Sequence, residues 1–171
     1  MMRSALFVPA DSERKLEKGC SSGADALFLD LEDSVALDRK PLARETLAAF
    51  LAAAPTNAPP LHVRINAFDT GLAEADLDAV MRFRPVGIVL PKSASGADVT
   101  RLDAMLRVHE ARSGAPDGST AITAIVTETA AATLAAGTYA NSSPRLRAMT
   151  WGAEDLAADL GVTRQRDGRS R

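Results

Sequence analysis

Short apolar runs alternate with longer stretches of helical spacing along the whole chain, and no other feature narrows the possible folds so far. The runs cover residues 5–8, 26–31, 61–65, 86–90, 121–126 and, more weakly, 146–150. Short apolar runs bounded by turn-forming residues read as buried strands. Between them the periodicity predicts helices over 11–21, 40–53, 73–83, 97–113 and 129–139, with a last short one at 154–160. Asp11-Ser12 offers a cap at the first helix start, and Pro41 falls in the first turn of the second, where a missing N–H is tolerated. From start to start the strands lie 21, 35, 25, 35 and 25 residues apart, which suits right-handed βαβ crossovers in a parallel sheet.

Two closures satisfy that pattern, an open doubly wound sheet and a (β/α)8 barrel. The residues that follow the strands help to choose. They are Pro9-Ala10-Asp11, Asp30-Leu31-Glu32-Asp33, Arg64-Ile65-Asn66, Pro91-Lys92, Thr127-Glu128-Thr129 and Trp151-Gly152-Ala153-Glu154-Asp155, with charge at one end of successive strands. In a barrel these ends converge on one mouth, whereas in an open sheet only those at the switch point meet. The ring of charge favours a barrel, while 171 residues fall short of the roughly 250 typical of a complete one.

Composition excludes several classes. With 46% hydrophobic and 25% charged residues the chain can bury a core, unlike a disordered polymer. A balance of 20 basic against 22 acidic residues gives no field for nucleic acid, so the expected partners are small molecules or protein. The single cysteine, Cys20, has no internal disulfide partner, and no Cys/His framework for zinc exists. The first nine residues hold too few apolar positions for a signal-peptide core or a membrane span, which places the chain in the cytoplasm as an expectation.

The residues able to carry chemistry lie at those strand ends. Asp30, Glu32 and Asp33 repel one another unless a cation balances them; the alternative is a solvated turn with Asp33 or Ser34 as a cap. Strand alternation puts His62, Arg64 and Asn66 on one face. Arg64 is expensive to bury unpaired, so it either pairs with Asp30 or Glu32 or offers its fork to a substrate carboxylate. Glu128 and Asp155 are two oxygen ligands with room left for water and substrate, as magnesium prefers; each alone also fits a helix cap. Lys92 is a candidate anion ligand or Schiff-base nucleophile, with an ion pair as the plainer reading. His109, among Arg107, Glu110 and Arg112, is expected to be solvated, and Cys20 is not expected to be a catalytic thiol.

Arg3-Ser4-Ala5-Leu6-Phe7-Val8-Pro9-Ala10, Phe28-Leu29-Asp30-Leu31-Glu32-Asp33-Ser34-Val35, Val63-Arg64-Ile65-Asn66, Gly87-Ile88-Val89-Leu90-Pro91-Lys92, Thr127-Glu128-Thr129 and the stretch from Gly152 through Glu154, Asp155 and Asp159 to Gly161 together resemble the citrate lyase beta-subunit-like proteins of the HpcH/HpaI aldolase and citrate lyase superfamily, alongside malyl-CoA lyase. The resemblance implies an α/β fold, a (β/α)8 TIM barrel of which residues 1–161 hold about the first six βα units, with 162–171 a polar, arginine-rich tail. It implies a magnesium-dependent carbon–carbon lyase acting on a 3-hydroxyacyl-CoA thioester such as citryl-CoA, malyl-CoA or citramalyl-CoA, assembled as a homotrimer. By the same resemblance Glu128 and Asp155 are the Mg2+ ligands, and Arg64 is the catalytic arginine at the bond being broken. Glu128, Asp30 and Glu32 border the substrate, and Arg14 and Lys15 meet the CoA phosphates. The chain departs from the family in carrying Ser93-Ala94-Ser95 where many relatives have an acidic residue. Two alternatives stand beside this reading: a class II aldolase using free 2-keto acids, and an inactive truncated barrel or subunit of a larger lyase complex.

Overall fold

A computed structural model of the chain describes residues 2–162, and the expected tail lies outside them from Thr163 onward. Six strands alternate with helices: β1 (Ala5–Pro9), α1 (Glu13–Cys20), β2 (Ala26–Asp30), α2 (Lys40–Ala52), β3 (Leu61–Arg64), α3 (Ala73–Val80), β4 (Gly87–Leu90), α4 (Gly96–Ser113), β5 (Ala121–Ile125), α5 (Ala130–Leu134), β6 (Leu146–Thr150) and α6 (Ala153–Asp159). The sheet order is β1-β2-β3-β4-β5-β6, with every neighbouring pair parallel. A doubly wound sheet reverses its strand order at a switch point. This one never does, so right-handed crossovers put every helix on the same side, the winding of a barrel. Among the described residues β1 and β6 do not pair, and the barrel stays open between them.

Alternation divides the strands into two faces. Val8, Leu27, Leu29, Val63, Ile88, Leu90, Ile122 and Ala124 point outward and pack on Leu16, Leu47, Leu77, Val80, Leu102 and Leu106 of the helices. Phe28, Val89 and Ile125 form a second cluster on the inner face. His62 lies in this inner layer, 5.5 Å from Phe28, and burial pushes its pKa down so that the ring is neutral. The β2, β3 and β5 strands end one residue before the expected limits, although Leu31, Ile65 and Val126 still donate to the neighbouring strand. The helix expected over 129–139 breaks after Leu134 into a 3-10 turn, Ala136–Tyr139, which seats the Tyr139 hydroxyl on Ser93.

Two polar features of α4 and β6 depart from, or add to, the sequence reading. His109 is buried at 7% exposure rather than solvated, because it continues the Val99, Leu102, Leu106 stripe that faces the core. Arg145, just before β6, is 2% exposed and is held by Asp103, Glu110 and Asp117, each at 2.7 Å. Burial opposes ionisation of Glu110, yet the Arg145 fork and the N–H groups of Thr120 and Gly118 hold its pKa down to about 2.

Candidate active site at the carboxyl ends of the strands

The site begins where β2 and β3 end. Asp30 and Arg64 are register partners, and the guanidinium takes the carboxylate in a two-point fork, Nε to Oδ1 at 2.7 Å and Nη2 to Oδ2 at 2.6 Å. The same Asp30 oxygens accept the N–H groups of Glu32 at 2.8 Å and Ser34 at 3.1 Å, folding the acidic loop back over the strand end. Burial opposes the Asp30 charge and Arg64 more than offsets it, so its pKa falls below the usual carboxylate range. Arg64 lies 4.7 Å over the Phe7 ring of β1, and its Nη1 approaches Glu32 Oε2 at 2.9 Å, an ion pair off the hydrogen-bonding direction. The pairing considered from sequence is therefore realised with Asp30, and Glu32 Oε2 is left with an ion pair to Nη1 but no hydrogen-bond partner. Because β3 ends at Arg64, alternation does not carry to Asn66, whose amide turns to Asp76 on α3.

Lys92, two residues past β4, closes the acidic loop from the other side. Its ammonium reaches Glu32 Oε1 at 2.7 Å and Asp33 Oδ1 at 3.1 Å, and these carboxylates raise its pKa against the cost of burial. An ion-paired lysine held fully protonated is no Schiff-base nucleophile. Its backbone is left-handed at φ 49°, uncommon outside glycine, and its N–H donates to Glu128 Oε2.

Glu128 is 4% exposed, and burial, reinforced by the charges of Glu32 and Asp155, pushes its pKa up to about 7. It is not a helix cap, since Thr129 caps α5 by accepting from Ala132 N–H. Asp155 is half-buried in the first turn of α6, where the helix dipole favours a carboxylate. Among the described residues no three His, Cys, Asp or Glu side chains gather closely enough to cage a metal. Two carboxylates with open positions fit magnesium, which keeps waters and takes substrate oxygens, and do not fit a closed zinc site.

The structure thus brings together Asp30, Glu32, Arg64, Lys92 and Glu128, with Asp155 near enough to Glu128 to raise its pKa. Arg14 and Lys15 lie apart on the exposed first turn of α1, beside the end of β1. Cys20 ends α1 half-buried, and burial raises its thiol pKa, in keeping with an inert cysteine. Sequence reading missed the support behind the acidic loop. Buried Lys40 donates to the Leu31 and Glu32 carbonyls at 2.7 and 2.6 Å, and Asn66, Asp76 and Arg44 chain the same loop to α2 and α3. The one local signal was Lys40 beside Pro41 at a helix start, a place where a buried cation is unusual.

Fold and site together define a class: parallel α/β proteins of barrel winding with a carboxylate–arginine centre at the carboxyl ends of the strands. Within it, the chain belongs to the HpcH/HpaI aldolase/citrate lyase family, whose sequence pattern it matches over residues 3–170. A (3S)-malyl-CoA thioesterase of Cereibacter sphaeroides is 37% identical over 159 residues, 93% of this chain and 51% of the relative. An L-malyl-CoA/beta-methylmalyl-CoA lyase of Rhodobacter capsulatus is 36% identical over 163 residues, 94% of this chain and 51% of the relative. A citrate lyase beta subunit from Mycobacterium tuberculosis, solved with oxaloacetate and magnesium, superimposes with a TM-score of 0.74 at 36% identity, covering 98% of this chain and 66% of that one. The chain spans about half the length of the curated relatives it matches.

Proposed function

We propose that the chain carries the centre of a magnesium-dependent lyase that makes or breaks a carbon–carbon bond in a 3-hydroxyacyl-CoA thioester of the malyl-CoA or citryl-CoA type. The observation that carries this reading is Glu128, a carboxylate 4% exposed, fixed by the Lys92 N–H and close to a second carboxylate, Asp155, where a divalent cation would offset the cost of burying the charge. The malyl-CoA lyase relative and the solved citrate lyase beta subunit with magnesium and a keto acid support the substrate class and the metal. Glu128 and Asp155 would hold the ion, and it would supply Lewis-acid stabilisation of oxygen charge and a template for the keto-acid half of the substrate.

The chain's own residues account for the rest. In the cleavage direction the C3 hydroxyl gives up its proton, the adjoining C–C bond breaks, and its electrons pass to the thioester half as an enolate that is then protonated to an acyl-CoA. Arg64, clamped on Asp30 and stacked on Phe7, is a fixed donor toward that developing charge. Such a preorganised donor is worth about 3–4 kcal/mol. Asp30 and Glu32 orient the arginine at the substrate border, Lys92 keeps the acidic loop close to neutral, and Arg14 and Lys15 on the first turn of α1 meet the CoA phosphates. The likeness to a malyl-CoA thioesterase favours one second reading, hydrolysis of the thioester by water at the same centre.

Incubating the protein with (3S)-malyl-CoA and Mg2+ and following both products separates the two. A lyase releases a carbonyl acid and a shorter acyl-CoA, while a thioesterase releases free thiol. Arg64→Ala is expected to abolish turnover with the fold intact, and a variant retaining most of its activity overturns the mechanism.

A further inference from the structure

We infer that Gly152 is a positioning residue whose missing side chain is the slot in which the Glu128 carboxylate is held. The inference rests on the reading of Glu128 as a metal ligand and adds to it the device that sets its rotamer. Gly152 follows β6 with φ −109° and ψ 85°, a backbone that any residue adopts, so chain geometry does not call for glycine. Space does. A Cβ at this position would lie 2.4 Å from Glu128 Cγ, 3.2 Å from Cδ and 3.3 Å from Oε1. The closest clash falls on Cγ, near the root of the side chain, so swinging the carboxylate alone cannot relieve it; the first torsion must change.

The other wall of the slot is Lys92, whose left-handed backbone aims its N–H at Glu128 Oε2. A sparsely populated backbone conformation persists where its surroundings require it, often at functional sites. Glu128 is thereby wedged between the Lys92 amide just past β4 and an absent methyl just past β6, with Asp155, three residues beyond Gly152, close enough to act on its charge. Leaving the slot costs Glu128 its Lys92 hydrogen bond and moves the carboxylate from the place where it and Asp155 would share an ion.

Gly152→Ala tests this with Mn2+ as the probe, followed by its EPR signal, alongside metal-free melting in EDTA. Mn2+ affinity is expected to fall about tenfold or more, the loss typical of disturbing the support of a ligand. In the metal-free protein the substitution should lower the melting temperature when Glu128 is present and raise it in a Glu128→Ala background, where no Cγ remains to clash and alanine only stiffens the unfolded chain. A merely structural glycine would shift melting equally in both backgrounds, and that result overturns the inference. So does a Gly152→Ala protein that binds Mn2+ as the parent does while Glu128→Gln has lost it. Undiminished Mn2+ binding by Glu128→Gln instead removes the metal reading itself, and this inference with it.

Discussion

Replacing Arg145 with methionine keeps only the aliphatic stem of the side chain and removes the charge-assisted bonds that the guanidinium makes to Asp103, Glu110 and Asp117. Glu110 and Asp103, 1% and 7% exposed, are left without their buried cation. Breaking a buried pair from one side costs about 3–5 kcal/mol. The lower end applies, because Glu110 keeps the N–H groups of Gly118 and Thr120 and the Ser119 hydroxyl, and Asp103 keeps Ser143 and Arg107. The depression of Glu110 from 4.5 to about 2 corresponds to about 3 kcal/mol at neutral pH, an upper bound on the part of Arg145 because the Thr120 and Gly118 N–H groups share in it. For a domain of this size that lowers the melting temperature by roughly 6–12 °C. The sign with pH follows from a lowered pKa: the stabilisation is complete above the ordinary carboxylate value and is lost as pH falls toward 2. Calorimetry of both proteins should thus show a gap of about 3 kcal/mol at pH 7 that narrows as pH falls below 4.5. A loss under about 1 kcal/mol at pH 7, the range of an exposed pair, refutes the reasoning. So does a gap that ignores pH.

Glu128 titrates in the opposite sense: its raised pKa means that stability present below pH 4.5 is lost as pH climbs through about 7, by roughly 3 kcal/mol in metal-free protein. Melting in EDTA from pH 4.5 to 8 should decline accordingly, and Glu128→Gln should flatten the curve; a parent curve already flat contradicts the buried charge. Lys40→Met strips the donor from the Leu31 and Glu32 carbonyls and should cost about 1–3 kcal/mol in urea unfolding, with the slope unchanged. An unshifted midpoint would mean that water replaces the ammonium there.

The strand–helix alternation was legible because period-2 and period-3.6 patterns differ along the chain itself. The order of the strands was not legible from spacing, which serves a reversing sheet equally, but charge at the ends of successive strands favoured a barrel, and the observed pairing of each strand with the next bears that out. Asp30 with Arg64 was legible as a charge problem needing a partner, and Glu128 as a carboxylate past a strand. His109 was misjudged from its charged neighbours although its three-residue step from Leu106 marks the core face. The Lys40, Asn66, Asp76 and Arg44 chain and the contact of Gly152 with Glu128 join residues far apart in sequence, and no local pattern encodes such distances.

Sequential strand pairing also gives the centre an order of birth. Each strand docks on the one made just before it, so the Asp30–Arg64 clamp can form once β3 has left the ribosome, whereas Glu128 gains its slot and its companion carboxylate only when β6 and α6 arrive. Fraying of the β6–α6 unit would disarm the carboxylate half of the centre and leave the arginine half standing.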